Sequence, residues 1–447
     1  MQDSNTIFTP SVRGGLSVAV IGLGKIGLPL ASAYLRKGCR VIGCDSSPYV
    51  VETINAGRCH IQEEPGLATE VAAAVACGRL IATQDTTRAV QEADVAVVIV
   101  PVITNEQNEV DFHAIDAATS ALGAGLTPGK LVLYESTVPV GTTAKRFCRA
   151  LERCSQLTAG RDFYLAYSPE RVRSGQVLRD LATYPKVVGG INEASIAAAM
   201  KFYRLVLDAD VIAMAHSDDA EFVKLIETTY RDVNIALANE FARYADAHGL
   251  NLSTAIAAAN SQPQSHIHEP GIGVGGHCIP VYPYFLLRDA PEGLELARQA
   301  RVVNDHMAAY AVERLEAELG TLAFQSVLIL GIAYRGNVRE AAYSTARLLS
   351  KALLARGATV YAHDPLFSDS EVAALGYTPL GPQHIKQVDA IILQANHLAY
   401  QSFQWGQFAH CKVLLDGRQA LQREMIESFG MRYLSIGDGQ KMCAVVG

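Results

Sequence analysis

The chain has 447 residues, 49% apolar and 19% charged, too long for one ordinary core and too apolar for a disordered segment, so two or three domains are expected. A net charge of −7 without a long basic run argues against nucleic acid as a partner. No apolar run is long enough to cross a bilayer, so no membrane partner is expected, and nine cysteines without a C-x-x-C pair fit reduced cytoplasmic thiols better than disulfides or zinc.

Residues 1–14 lack the apolar core of a signal peptide and read as a flexible tail. Leu16-Ser17-Val18-Ala19-Val20-Ile21 is a short apolar run entering a glycine turn, the pattern of a buried parallel strand. A helical stretch through Leu30 and Tyr34 follows, then a strand from Cys39 to Cys44 that ends at Asp45. Val95 to Val100 and Leu131 to Tyr134 continue the series. From Asp218 to Ala259 glycine and proline almost vanish and alanine and leucine recur at helical spacing, which predicts long connecting helices that pack on a second subunit. A second series then begins, with strands at Val327 to Gly331, Ala358 to Ala362, Ala390 to Leu393 and Val413 to Leu415, and a helix from Ser344 to Arg356. The expected fold is therefore α/β: two Rossmann-like, doubly wound parallel-sheet domains joined by a long helical segment. The boundaries fall at 15–212 for the first domain, 213–315 for the central one and 316–447 for the last.

Gly22-Leu23-Gly24-Lys25-Ile26-Gly27 is G-x-G-x-x-G between a strand and a helix, with Asp45 eighteen residues past the last glycine. Glycines in that pattern let a pyrophosphate approach the helix N-terminus, and the acid accepts from a ribose hydroxyl while repelling a 2′-phosphate. NAD rather than NADP is the expected cofactor. Glu135 to Thr142 puts hydroxyls at the carboxyl edge of the sheet, and Tyr167-Ser168-Pro169-Glu170-Arg171 is a second strand-end loop carrying an acid. Lys224 sits where the central helices begin, and an ordinary solvated charge is the more frequent role for a lone helical lysine.

Gly271 to Pro283 places Cys278 on a loop with four glycines. A thiolate there could attack a carbonyl, and a tight turn around an inert cysteine is the alternative. His266, His268 and His277 lie nearby but match no zinc spacing, so no metal is expected.

These pieces, in order, resemble the UDP-glucose/GDP-mannose dehydrogenase family from about Leu16 to about Arg418. The matching stretches are Gly22 to Gly27, Ser136 to Thr142, Ser168 to Arg171, Lys224 with Asn234 to Glu240, Gly273 to Pro280, and Gly331 to Arg335. Ser168 to Arg171, Arg231 to Asn234 and Gly276-His277-Cys278 look most like the branch that acts on UDP-N-acetylhexosamines. The resemblance implies a four-electron oxidation of a sugar C6 alcohol to a carboxylate for surface polysaccharide, in a cytoplasmic homodimer that uses NAD and a UDP-sugar. It casts Cys278 as the thioester-forming nucleophile and Lys224 as the oxyanion stabiliser. Glu170 becomes a general acid/base whose pKa burial raises, and Thr137 a further catalytic group. Lys25, Ile26, Pro101, Ser136 and Thr137 join the glycines and Asp45 around the cofactor. Glu170, Arg171, Lys224, Gly273, Gly275, Gly276, His277, Tyr334, Arg335 and Arg418 are assigned to the substrate.

Five positions depart from the family pattern. Tyr282 replaces an aspartate that assists water at C6, Thr228 an asparagine one turn past Lys224, and Gln264 an arginine that reaches the partner's substrate. The arginine of R-E-S-P is placed at Ala342, and the V-P-T-P turn reads Val100-Pro101-Val102-Ile103. Two alternatives follow: a diverged relative with another substrate or incomplete oxidation, and a non-catalytic nucleotide-binding paralogue.

Overall fold

Short apolar runs that alternate with amphipathic helices bury both faces of a parallel sheet, and the chain does this twice. The computed structural model describes residues 15–105, 107–290 and 292–439; the expected tail, 1–14, lies outside them. Two compact units result, residues 1–227 with 284–289 and residues 228–283 with 290–447.

The first unit holds an eight-stranded sheet with β1 (Ser17–Ile21), β2 (Arg40–Cys44), β3 (Leu80–Thr83) and β4 (Val95–Val98). A small antiparallel hairpin follows, β5 (Ile103–Thr104) and β6 (Val110–Asp111). The sheet resumes with β7 (Leu131–Tyr134), β8 (Tyr164–Tyr167), β9 (Lys186–Gly190) and β10 (Val211–Ala213), in the order β10-β9-β8-β7-β4-β1-β2-β3. Its one antiparallel junction joins β8 to β9, with Ala166 opposite Gly190 and Tyr167 opposite Gly189. The reversal brings the start of β9 to the edge at which the parallel strands end, so Lys186 stands where Glu135 and Ser168 leave β7 and β8. Val18, Val20, Val95, Val97, Leu131 and Leu133 pack in one cluster with Leu28, Leu30 and Tyr34 of the helix Gly27–Arg36. Each such side chain contributes about 1.5–3 kcal/mol by leaving water.

The second unit holds a five-stranded parallel sheet of β11 (Ser326–Leu330), β12 (Thr359–His363), β13 (Ala390–Leu393), β14 (Val413–Asp416) and β15 (Arg432–Ser435). Its order is β12-β11-β13-β14-β15. Val327, Ile329, Ile392 and Leu415 pack against Met307 and Val312 of the helix Glu295–Leu319 and against Leu349 and Leu353 of the helix Ala346–Leu354.

The expected helical stretch is two helices, Ser217–His248 and Leu252–Ala259. Gly249 takes a left-handed φ of 72° and ends the first, and the Asn251 side chain caps the second by accepting from the Thr254 amide. Among the described residues no helix is long and apolar enough to cross a membrane.

Candidate active site

The glycine turn after β1 separates three jobs. Gly22 has a φ of +100°, and a Cβ there would stand 2.9 Å from the Ile99 carbonyl oxygen. A Cβ on Gly27 would meet the Gly22 carbonyl oxygen at 1.9 Å, so this glycine lets the helix close on the turn. At Gly24 nothing of the protein lies within 4 Å of a Cβ position. Its bare backbone serves no internal packing and leaves room for a pyrophosphate, as the second glycine of a dinucleotide turn does. The Leu28 amide donates to the Gly24 carbonyl and the Leu30 amide to that of Ile26, so the helix winds up directly behind the turn. Lys25 pairs with Glu63 at 3.4 Å. Asp45, at the end of β2, accepts from the Leu23 amide at 3.0 Å and from the Ser47 amide at 2.9 Å, which fixes its carboxylate beside the turn. Pro101 is exposed, while Ser136 and Thr137 are buried; the Ser136 Oγ is enclosed without a protein partner, a polar atom open to a ligand. The residues present fit NAD.

Lys224 is buried, and its Nζ donates to the main-chain carbonyl of Glu170. The solvated-charge reading of Lys224 does not hold. The Arg171 guanidinium pairs with Glu227 at 2.5 Å and donates to the Pro185 carbonyl at 3.1 Å.

The Glu170 carboxylate requires a correction. Burial alone would push it up, but Lys186 Nζ lies 2.8 Å from Oε2 and the Arg171 and Val172 amides donate to Oε1 at 2.7 and 3.2 Å. The net effect holds Glu170 below the usual carboxylate range, opposite to the raised value expected from its sequence context.

In the second unit the cysteine loop is seated on the carboxyl edge of the five-stranded sheet. A Cβ on Gly275 would lie 2.7 Å from the Tyr334 Cβ and 2.9 Å from the Tyr343 carbonyl oxygen, and one on Gly276, at φ +91°, would strike the Tyr334 ring. Gly273, at φ +85°, passes the Asn304 carbonyl at a similar distance. The Gly276 amide donates to the Ala342 carbonyl, and His277 lies 3.5 Å from Glu340. Gly271 packs beside the Arg418 guanidinium, whose Nε donates to the Gln394 carbonyl at 2.6 Å. Arg335 is exposed, 5.8 Å from the Tyr334 ring. This unit therefore gathers Gly273, Gly275, Gly276, His277, Cys278, Tyr334 and Arg418 in one neighbourhood, with Arg335 next to Tyr334. At Ala342, where the family pattern has the arginine of R-E-S-P, the main-chain carbonyl accepts from the Gly276 amide, and the nearby Arg339 is bound to Glu371 and the Leu366 carbonyl.

Comparison with known proteins agrees with both halves. Residues 16–207 match the NAD binding domain of the UDP-glucose/GDP-mannose dehydrogenase family, residues 218–306 its central domain and residues 328–423 its UDP binding domain. The chain belongs to the UDP-glucose/GDP-mannose dehydrogenase family. It is an NAD-dependent oxidoreductase with two Rossmann-like α/β domains. A UDP-N-acetyl-D-mannosamine dehydrogenase of Pyrococcus horikoshii is 33% identical over 95% of this chain and 100% of its own. A solved structure of that enzyme superposes with a TM-score of 0.86, at the same coverage. An NDP-N-acetyl-D-galactosaminuronic acid dehydrogenase of Ralstonia solanacearum is 33% identical over 90% of this chain and 95% of its own.

Two residues of this dehydrogenase escaped the sequence reading. Lys186 opens a strand, Lys-Val-Val-Gly-Gly, whose two glycines weaken its pattern, and only the antiparallel turnover of β9 brings it to the active edge. Glu135 was visible as the residue after β7, but a single acid at a strand end carries no spacing signal. Among the described residues no group of three or more histidine, cysteine, aspartate or glutamate side chains could hold a metal ion.

Proposed function

We propose that this dehydrogenase oxidises the C6 alcohol of a UDP-N-acetylhexosamine to the uronic acid through a covalent intermediate on Cys278. The observation that carries the reading is the seat of the Cys278 loop, whose glycines lie against Tyr334, Tyr343 and Arg418 at the edge of the UDP binding domain. NAD, held by Gly22, Gly24, Gly27, Asp45 and Ser136, supplies the acceptor for each hydride when bound. In the first oxidation the alcohol gives up a hydride and a proton and becomes an aldehyde. The Cys278 thiolate adds to that carbonyl, forming the C–S bond of a thiohemiacetal, and the second oxidation makes a thioester. Water then cleaves the C–S bond and releases the carboxylate and the thiol. The Lys224 ammonium stabilises the oxyanion of these steps, and its burial strengthens that effect. Glu170, held ionised, accepts protons, and Thr137 stands with Ser136 on the strand-end loop as a further contact. Arg335 and Arg418 contact the diphosphate with forked guanidinium groups.

The same reading places the enzyme in the cytoplasm, where its free cysteines stay reduced, and makes it a homodimer. Tyr230, Leu237, Phe241 and Tyr244 support the dimer, since these four large side chains at helical spacing on Ser217–His248 are all exposed.

Purified enzyme with NAD and a panel of UDP-N-acetylhexosamine epimers tests the reading. Two NADH per uronic acid are expected, with Cys278→Ala abolishing acid formation; absence of NADH with every sugar overturns it. Tyr282, half-buried at the aspartate position of the family, supports a second outcome in which oxidation stalls and a Cys278 adduct or an aldehyde accumulates.

A further inference from the structure

Behind Glu170 lies a cluster of charge that the reaction scheme above does not use. Lys186 Nζ sits 2.7 Å from Glu135 Oε2 and 2.8 Å from Glu170 Oε2. Glu135 Oε1 is 2.7 Å from the Tyr203 hydroxyl and 3.2 Å from that of Tyr34. The side chains are almost wholly out of water, 0% exposed for Glu135, 4% for Lys186 and 10% for Glu170. The two carboxyl groups also lie within hydrogen-bond reach of each other.

Charge and hydrogen-bond inventory together define what the cluster does. Two carboxylates and one ammonium leave a net buried charge of −1, and one added proton cancels it. A carboxyl next to a carboxylate gives that proton a place to sit, as in any pair of acids sharing a site. The Lys186 ammonium is opposed by burial but held by its two carboxylate neighbours, so the mobile proton belongs to the acids. Tyr203 can serve either state. It donates to Glu135 when that group is ionised, and it can accept from the acid while turning its own proton toward Ser168, which faces it. Ser168 in turn donates to the Val187 carbonyl at 2.7 Å. The other charged groups facing the cluster are Lys224, on the Glu170 carbonyl, and Arg171, which is engaged by Glu227. A cavity of about 10 Å³, room for about one water, lies against Glu170 and Lys186.

We propose that Glu135 and Lys186 are positioning residues that act through Glu170, forming with it a buried cluster that takes up the proton released when the C6 alcohol is oxidised. The inference rests on the C6 oxidation proposed above. In that step the C–H bond leaves as hydride to the cofactor and the O–H bonding pair becomes the second C=O bond. The O–H proton forms a new bond to a Glu170 oxygen, is shared with Glu135, and later leaves through water. The cluster passes from −1 to neutral and back, with no other reactant.

Burial puts the Glu135 carboxyl at about 7, so the cluster exchanges its proton near neutrality. The test is the pH profile of kcat in wild type, Glu135→Gln and Lys186→Gln. The wild-type acid limb is expected near pH 7. Glu135→Gln, which leaves Glu170 alone with its ammonium, moves the limb down by more than a pH unit and lowers the plateau at least tenfold. Lys186→Gln, which leaves two acids without a cation, moves it up. Limbs that coincide in all three proteins overturn the proposal, because loss of packing alone lowers kcat without moving the limb in opposite directions. Tyr203→Phe, which keeps every charge, raises the limb and replaces either variant that fails to fold. Infrared titration of ligand-free enzyme reads the cluster without turnover. The titration uses a Glu221→Gln background, which removes the other carboxyl that burial pushes up to about 7. There, a protonated-carboxyl band that bleaches near pH 7 and is missing once Glu135→Gln is added supports the cluster; the same band with and without Glu135→Gln overturns it. If the wild type oxidises no nucleotide sugar, the C6 reading fails while this titration still reports whether the shared proton exists.

Discussion

Glu221 accepts the backbone amide of Gly141 through one carboxylate oxygen and that of Thr143, at 2.8 Å, through the other. The carboxylate thereby ties the helix that carries Lys224 to the turn that follows Ser136 and Thr137, where a π-helical stretch Thr143–Phe147 begins. A negative group at the head of a helix is favourable, and here both oxygens are used. Glu221→Ala leaves two buried amides without their acceptor, so a loss of about 1.5–3 kcal/mol is expected. Chemical denaturation measures it. An unchanged midpoint would show that the turn holds without this tie.

The same residue gives a pH-dependent signature. Burial pushes the Glu221 carboxyl up to about 7 from its ordinary 4.5, despite its amide donors. The folded protein then keeps a proton that the unfolded chain has lost. Its contribution to stability falls as pH rises from about 4.5 to about 7 and is level above that. Glutamine has no such dependence. The melting temperature of Glu221→Gln relative to wild type is therefore expected to improve steadily across this window, and a constant difference would refute the raised value.

Gly24 and Gly27 are expected to fail in different ways. Alanine at Gly27 strikes the Gly22 carbonyl at 1.9 Å and must push the helix away, so it destabilises the protein before any cofactor is added. Alanine at Gly24 meets nothing of the protein, so the melting temperature stays near wild type while NAD affinity drops at least tenfold. Fluorescence titration of NADH alongside thermal melting separates the two. Normal cofactor binding by Gly24→Ala would remove this glycine from the cradle.

The contrast between Gly24 and Lys186 marks how far the sequence could be read. Gly24 belongs to a motif whose parts lie in one turn, so spacing alone located it beside Asp45. The strands were legible because a parallel strand buried on both faces is a nearly continuous apolar run, and nine expected elements lie within about two residues of their place. Lys186 and Glu135 are 51 residues apart and meet only because β9 runs against its neighbour. Nothing in a Lys-Val-Val-Gly-Gly run announces its direction. The Glu170 assignment had a related weakness, since the direction of its shift depends on that same unseen lysine.

An exposed row of Tyr230, Leu237, Phe241 and Tyr244 gives the proposed dimer its test. Charges placed in that row have to be desolvated in any helix-to-helix interface. Leu237→Glu combined with Phe241→Glu is expected to shift the mass measured by light scattering from dimer to monomer. Both positions are over a third exposed, so the monomer should remain folded by circular dichroism. A doubly substituted protein that still runs as a dimer would place the interface elsewhere.

Asn239 connects the cysteine loop to a buried charge. Its Oδ1 accepts from the Gly271 amide at 2.9 Å and its Nδ2 donates to Asn304 Oδ1 at 2.8 Å. Asn304 Nδ2 in turn donates to Asp232 Oδ1 at 2.7 Å, the oxygen that also accepts from Arg301. Asn239, Asn304 and Asp232 are all fully buried, so the chain holds the start of the loop without help from solvent. Removing the Asn239 amide leaves the Gly271 N–H unpaired in the interior and should cost about 1–3 kcal/mol. Asn239→Ala is therefore expected to lower the melting temperature and kcat together. It should also make Cys278 react faster with iodoacetamide, because a loop released at Gly271 exposes the half-buried thiol more often. Mass spectrometry of the Cys278 peptide over time reads that rate. Alkylation as slow as in wild type would mean that Tyr334 and the Ala342 carbonyl hold the loop without the asparagine chain.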